Sequence, residues 1–210
     1  MSLQHHFVIV SGNIGVGKST LTHQLAQRLD WHPFLEAVEA NPYLADFYED
    51  MKRWSFHSQI FFLSRRLQHH HALLQYPGDV VQDRSVYEDA EIFARNAYLQ
   101  GNMSERDYQC YRDLYEGIRA FLPAPGLVVY LKAPVSLLVE RIAIRGRDYE
   151  RQITADYLAQ LNDLYEEWAM MWKASPMLCI EAQQYDFVQN TQDLEAITAQ
   201  IQAALLPVSR

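Results

Sequence analysis

The stretch FVIVSGNIGVGKST (7–20) decides how the rest of the chain is read. Its first four residues are an apolar, mostly β-branched run of strand character. GNIGVGKS (12–19) then matches GxxxxGKS in full, Thr20 follows, and Leu21, Leu25 and Leu29 continue at helical spacing. A strand, a glycine-rich turn and a helix start, in that order, are the setting in which this motif binds phosphate. Gly12, Gly15 and Gly17 allow a tight turn with inward-pointing backbone N–H groups, and Asn13, Ile14 and Val16 complete the loop. Lys18 supplies a point charge for the β- and γ-phosphates, and the Ser19 hydroxyl is the natural Mg2+ ligand. Nucleotide binding follows from these residues. Transfer, hydrolysis and switching remain separate possibilities.

Outward from the loop, short apolar runs alternate with helical patterns. The runs are VV (80–81) before DRS, LVVYL (127–131) and MLCI (177–180), with FLEAV (34–38) a weaker fifth. This alternation predicts an α/β fold around a parallel sheet whose helices cover both faces. The clearest helix begins near Thr154, where Tyr157, Leu161, Leu164, Trp168 and Trp172 form one stripe, read as packing rather than a ligand-facing row. Another helical region follows Asn41-Pro42 and runs, with interruption, over 43–74. His69, His70 and His71 are consecutive and cannot face one point from a helix. They read as a solvated helix end. No linker-like tract interrupts the chain, so 1–210 is read as one domain.

The 210 residues carry 18 Lys plus Arg against 26 Asp plus Glu, a formal net charge of −8, which argues against a nucleic-acid partner. A hydrophobic content of 49% can offset the entropy of ordering the chain and excludes general disorder. Cys110 and Cys179 have neither metal-ligand spacing nor the number for a disulfide framework, and read as ordinary half-buried thiols. MSLQHHFVIV (1–10) lacks the basic start and longer apolar run of a cleaved signal. No stretch reaches the roughly 18 apolar residues that span a bilayer. A cytoplasmic location and no membrane partner are therefore expected.

Two clusters address what receives the phosphate. Asp83-Arg84-Ser85 ends an apolar run, and in a parallel sheet the C-terminal strand ends share the rim of the phosphate loop. A carboxylate there suits Mg2+ and a guanidinium suits the transferring phosphate; a strand-end salt bridge with a helix cap is the plainer alternative. In ERIAIRGRDYE (140–150), Arg141 and Arg145 share a helix face, Gly146 breaks the helix and Arg147 lies beyond it. Three guanidiniums beside a hinge can close over a triphosphate. A solvated basic face is the alternative, although in an acidic chain the cluster is the more informative.

GNIGVGKST (12–20), the acidic Glu36, RWSFHSQ (53–59), DRSVYEDAEIFA (83–94) and ERIAIRGRDYE (140–150) occur in one order across residues 7–172. On these motifs the chain resembles the deoxynucleoside kinase family, especially bacterial deoxyadenosine and deoxyguanosine kinases, with deoxycytidine kinase a relative. The resemblance implies a P-loop kinase fold, three-layer α/β/α with a five-stranded parallel sheet, and a homodimer. It also implies ATP and Mg2+, and a lid near 141–153. Glu36 corresponds to the general base, in Glu36-Ala37-Val38 where many members have E-P-V, with Glu39 as the alternative. Tyr48 corresponds to the sugar contact and Gln59 to the base reader. Arg66 with Asp89 matches the second base-side pair, with Arg65 the alternative arginine. Asp83 stands where vertebrate relatives have glutamate. Arg84 matches a contact to phosphate and to the general base, and Glu150 the group that reaches the sugar 3′-hydroxyl. Arg141, Arg145 and Arg147 match the lid arginines.

The chemistry is consistent with that resemblance. A primary alcohol attacking the γ-phosphorus must lose its proton, and a carboxylate beside it can take that proton. Gln59 has a donor and an acceptor with which to read one base edge. Trp54, Phe62 and Phe93 are each candidates for stacking on the base or for the core. The expected reaction is ATP-dependent phosphorylation of a deoxynucleoside, with deoxyadenosine favoured, at its 5′-hydroxyl. A nucleoside monophosphate kinase such as thymidylate kinase would need further acceptor-side cations for an existing phosphate. A regulatory P-loop protein would bind nucleotide without transfer.

Overall fold

Phe7 and Ile9 point to one face of the first strand and Val8 and Val10 to the other, and each pair sits in its own core cluster. Val8, Ile9 and Val10 have no exposed surface, a burial that stabilises by about 1.5–3 kcal/mol for each such side chain. The computed structural model describes residues 5–35 and 41–205. Its elements are β1 (Phe7–Gly12), α1 (Lys18–Leu29), β2 (His32–Phe34), α2 (Leu44–Glu49), α3 (Met51–Gln75) and β3 (Val80–Asp83). They continue with α4 (Val86–Glu88), a π-helical stretch (Asp89–Ala94), α5 (Arg95–Leu99), α6 (Glu105–Arg119), β4 (Leu127–Lys132) and α7 (Val135–Arg145). A 3-10 turn (Asp148–Gln152), α8 (Ala155–Met171), β5 (Met177–Glu181), a second 3-10 turn (Ala182–Gln184) and α9 (Thr191–Leu205) complete the chain.

All strand pairings are parallel, in the order β2-β3-β1-β4-β5, which puts the phosphate-loop strand at the centre. Helices α1, α7 and α9 cover the Val8 face through Leu21, Leu25, Leu138, Ile142, Ile197 and Ile201. Helices α3, α6 and most of α8 cover the Ile9 face through Leu63, Tyr111, Tyr115, Leu161, Tyr165 and Trp168. The three-layer α/β/α arrangement is the one expected. In register, Val10 pairs with Asp83 and Gly12 with Leu131, so the phosphate loop and Asp83 leave the sheet on one rim.

Several local expectations are corrected. The weak fifth strand lies at His32–Phe34, earlier than 34–38, because His32-Pro33-Phe34 pairs along β3 on an edge where proline is tolerated. Of the 34–38 run, residues 36–38 lie outside the described residues. The interruption expected in the 43–74 helical region is present at Asp50, between α2 and α3, where the Asp50 side chain accepts from the Arg53 N–H to cap α3. Trp172 ends α8 as its C-cap rather than extending it. His70 is buried, not solvated, because α3 turns that residue onto the sheet against Phe7, while His71 is exposed. Cys110 and Cys179 are exposed rather than half-buried, one on an outer helix face and one on the edge strand β5. Among the described residues, no helix is long and apolar enough to cross a membrane.

Candidate active site

The phosphate loop turns with φ of +141° at Gly12, +83° at Gly15 and +107° at Gly17. A Cβ at Gly12 would stand 2.5 Å from the Leu131 carbonyl oxygen, so no side chain fits where β1 meets β4. Lys18 is buried, and its Nζ donates to the Asn13 carbonyl oxygen at 2.9 Å, holding the ammonium inside the loop. Asn13 serves as a brace. Its Oδ1 accepts from the Ile14 N–H at 2.7 Å, and its Nδ2 donates to the Leu158 carbonyl and to Asn162 Oδ1, both on α8. Ser19 and Thr20, at the start of α1, are exposed.

At the end of β3, Asp83 Oδ2 accepts from the Ser19 hydroxyl at 2.5 Å. Arg84 adopts a left-handed φ of +59°, which lets its N–H bond the Val10 carbonyl while its guanidinium turns over the Phe93 ring, 4.2 Å from the centroid. Such a conformation in a non-glycine residue is strained and is commonly met at functional sites. Phe93 is carried by the π-helical stretch, which begins at Asp89. Asp89 Oδ2 accepts from Arg66 Nε at 2.9 Å, and Arg66 also donates to the Asp83 carbonyl. Both members of that ion pair are 3% exposed. Arg65 is exposed and hydrogen-bonds Gln68, so of the two adjacent arginines it is Arg66 that meets Asp89.

One cleft connects these groups. Its lining runs from Ile14, Gly15, Lys18 and Ser19 past Arg84 and Phe93 to Gln59, Phe62 and Phe47, under Tyr48, Glu150 and Tyr157. Gln59 is buried, and its Oε1 has no hydrogen-bond partner among the described residues. The Ser58 hydroxyl beside it accepts from Asn41 Nδ2 at 3.0 Å. Burial pushes the Tyr48 hydroxyl well above its ordinary range, with Tyr157 and Glu150 adding to the rise, so Tyr48 is a neutral donor. Burial likewise raises Tyr157 to about 12. Trp54 instead packs with Tyr43 and His57 and does not line the cleft.

The arginines behind α7 separate into two roles. Arg141 donates to the Val16 carbonyl at 2.7 Å, gripping the phosphate loop from outside. Gly146 ends α7 with φ of +67°, and the turn beyond it carries Glu150, which is 5% exposed. Arg145 bonds both carboxylate oxygens of Glu150, at 3.0 and 2.6 Å, and Arg147 lies 3.8 Å from one of them. Tyr149 of the same turn stacks on Tyr48, so the segment after the glycine closes onto α2. A second cleft opens on the outer side of the loop, between Lys18–Thr20, Arg141 and the 182–189 segment with Tyr185 and Phe187. Glu36 and its alternative Glu39 lie outside the described residues.

A family model described as deoxynucleoside kinase matches residues 8–206. The deoxyadenosine/deoxycytidine kinase of Bacillus subtilis is 38% identical over 209 residues, covering 96% of each chain. The deoxyadenosine kinase of Lactobacillus acidophilus is 34% identical, covering 94% of this chain and 95% of its own. The chain belongs to the deoxynucleoside kinase family. A solved structure of deoxyadenosine kinase from M. mycoides with bound dATP superposes with a TM-score of 0.82 at 28% identity, over 94% of this chain and all of that one. The reaction class is therefore phosphoryl transfer from ATP to a deoxynucleoside hydroxyl.

Beside the phosphate loop, this kinase carries oxygen donors of the kind that hold a divalent cation. Asp83 Oδ1 is buried without a hydrogen-bond partner among the described residues, and Ser19 Oγ lies at the other oxygen of the same carboxylate. Among the described residues, no group of three or more His, Cys, Asp or Glu could hold a metal ion by itself. One carboxylate and one hydroxyl beside a phosphate loop fit Mg2+, which keeps several waters and takes phosphate oxygens for most of its shell. Sequence reasoning missed Glu88, Tyr165, Asn162, Tyr149 and Tyr157 as parts of the kinase site. Tyr157 alone carried a signal, as the first residue of the aromatic stripe.

Proposed function

We propose that this kinase transfers the γ-phosphoryl group of ATP to the 5′-hydroxyl of deoxyadenosine, with deoxycytidine the second-best acceptor. The observation that carries this reading is the acceptor end of the cleft. The buried, unpartnered Gln59 Oε1 is poised to accept from an exocyclic amine while Nε2 donates to the adjoining ring nitrogen. Adenine offers that pair as N6–H2 and N7, and cytosine offers it as N4–H2 and N3. Leu44, Phe47, Phe62 and Phe93 complete that end.

In this reading Tyr48 and Glu150 hold the sugar 3′-hydroxyl, and the Arg66–Asp89 pair supports the base side. Glu36 takes the 5′-hydroxyl proton as attack proceeds. Lys18 and the loop N–H groups hold the β- and γ-phosphates, Arg84 meets the transferring phosphate, and Arg141, Arg145 and Arg147 close the lid. Ser19 and Asp83 would hold Mg2+, which when bound offsets phosphate charge. The chain acts as one domain, as a homodimer, in the cytoplasm. The test is kcat/KM for deoxyadenosine, deoxyguanosine, deoxycytidine, thymidine and dTMP with ATP and Mg2+. Deoxyadenosine is expected to lead; thymidine or dTMP ahead by about tenfold, roughly 1.4 kcal/mol of discrimination, contradicts the assignment. Glu36→Gln is expected to lower kcat by about 10²-fold with nucleoside binding retained, and full activity in that variant with loss in Glu39→Gln moves the base to Glu39.

A further inference from the structure

Glu88 has no exposed surface, yet its carboxyl group lies between two parts of the phosphate site that come from different strands. Oε1 accepts from the Gly12 N–H, 3.3 Å away, where β1 enters the phosphate loop. Oε2 accepts from the N–H and hydroxyl of Ser85 at 2.9 and 3.1 Å, directly after Arg84. Tyr165 of α8, also without exposed surface, completes the arrangement. Its hydroxyl stands 2.7 Å from the Gly12 carbonyl oxygen and 3.0 Å from Glu88 Oε1. Side chains from two other elements thus meet both the N–H and the C=O of Gly12.

A glutamate that only capped α4 would gain nothing from full burial, since a buried carboxylate is costly unless it is well paired. The surface cap of α6 shows the cheaper solution, an exposed pair of hydrogen bonds between Ser104 and Asp107. Burial does push the Glu88 carboxyl up, against the pull of Arg84 and then Lys18. Those two cations belong to the phosphate site, so its charges are matched to this carboxylate. The two residues flanking the contacts, Gly12 and Arg84, both hold positive φ. For Arg84, a non-glycine residue, that conformation is one the chain rarely keeps unaided.

We propose that Glu88 and Tyr165 are a positioning pair for phosphoryl transfer, holding the Gly12 peptide groups in register with the Arg84 turn so that the loop donors and Arg84 address one phosphate. The proposal rests on reading 12–19 as the ATP-phosphate loop and Arg84 as a phosphate contact. Neither member of the pair touches the substrate. Each acts through Gly12 or the Ser85 turn.

Tyr165→Phe removes one hydroxyl and keeps the ring packed against Tyr130, Phe93 and Trp168. We expect kcat to fall and KM for ATP to rise, together lowering kcat/KM for ATP by about tenfold, while KM for the deoxynucleoside stays within about twofold. Glu88→Gln should show a larger loss on the ATP side, because an amide nitrogen cannot accept from the Ser85 N–H. Calorimetric binding of ATP without any acceptor gives the same comparison independently of the acceptor assignment, with Tyr165→Phe expected to bind about tenfold more weakly than the parent. A folded Tyr165→Phe with parental ATP affinity and kcat, or one that weakens both substrates equally, overturns the proposal. If Glu88→Gln does not fold, Tyr165→Phe decides the matter alone.

Discussion

The donor end of the cleft is made by one local loop, through Ile14, Gly15, Lys18 and Ser19, whereas its acceptor end is made of side chains delivered by α2, α3, the π-helical stretch and the turn after α7. The donor end takes its shape from three positive-φ glycines and from contacts of α7 and α8 with the loop backbone. The acceptor end takes its shape from buried pairs such as Arg66 with Asp89 and from aromatic stacking such as Tyr48 on Tyr149. Backbone placed by local conformation survives the loss of one side chain. Side chains that hold one another do not, because removing one leaves the partner buried and unpaired. Changes at the donor end should therefore cost turnover, and changes at the acceptor end should cost stability or selectivity.

The largest effect is expected at the acceptor end. Asp89→Ala removes the carboxylate that balances the Arg66 guanidinium at 3% exposure and should destabilise the fold by about 3–5 kcal/mol, read from urea unfolding. Unchanged stability in that variant would break the contrast. At the donor end, Lys18→Ala should lower kcat by about 10²-fold, close to 3 kcal/mol at the transition state, with the unfolding midpoint nearly unchanged. A folded variant with near-normal turnover removes Lys18 from the phosphate site.

His70 provides a reference away from both ends. It packs on Phe7, where β1 begins, and burial lowers its imidazole from the usual 6.5 to about 4. The unfolded chain then binds a proton below about pH 6.5 that the folded chain refuses until about pH 4, so stability is present at neutral pH and lost as pH falls between these values. The loss should reach about 3 kcal/mol. Unfolding of the parent and His70→Phe at pH 7 and pH 5 checks this, and an equally steep decline in both contradicts it. The smallest effect concerns the sugar. With Tyr48 and Glu150 on the 3′-hydroxyl, 2′,3′-dideoxyadenosine should have kcat/KM about tenfold below that of deoxyadenosine. Equal values would remove both residues from that contact.

Legibility in the sequence follows the same division. GNIGVGKS could be read because eight adjacent residues carry both the conformation and the chemistry. The strand end at Asp83 and the helix break after Arg145 could be read because strand ends and helix breaks have local signatures, and Gly146 does end α7. Glu88 and Tyr165 could not be read, since their contacts to each other and to Gly12 span 76, 77 and 153 residues and only the fold brings them together. His70 was misread for the same reason: its burial depends on which way α3 meets the sheet, and three adjacent histidines carry no sign of that. The π-helical stretch DAEIFA (89–94) likewise has an ordinary helical composition, although it carries both Asp89 and the Phe93 ring beneath Arg84.

The most direct test of phosphoryl transfer between these two ends is product analysis of the unaltered chain. It is incubated with ATP, Mg2+ and deoxyadenosine, and ADP and nucleotide products are separated and counted over time. The expected result is one deoxyadenosine 5′-monophosphate formed for each ADP, with ADP formation falling to a low background when deoxyadenosine is omitted. ADP released at the same rate without acceptor, or ADP formed with no deoxynucleoside monophosphate, would contradict the account.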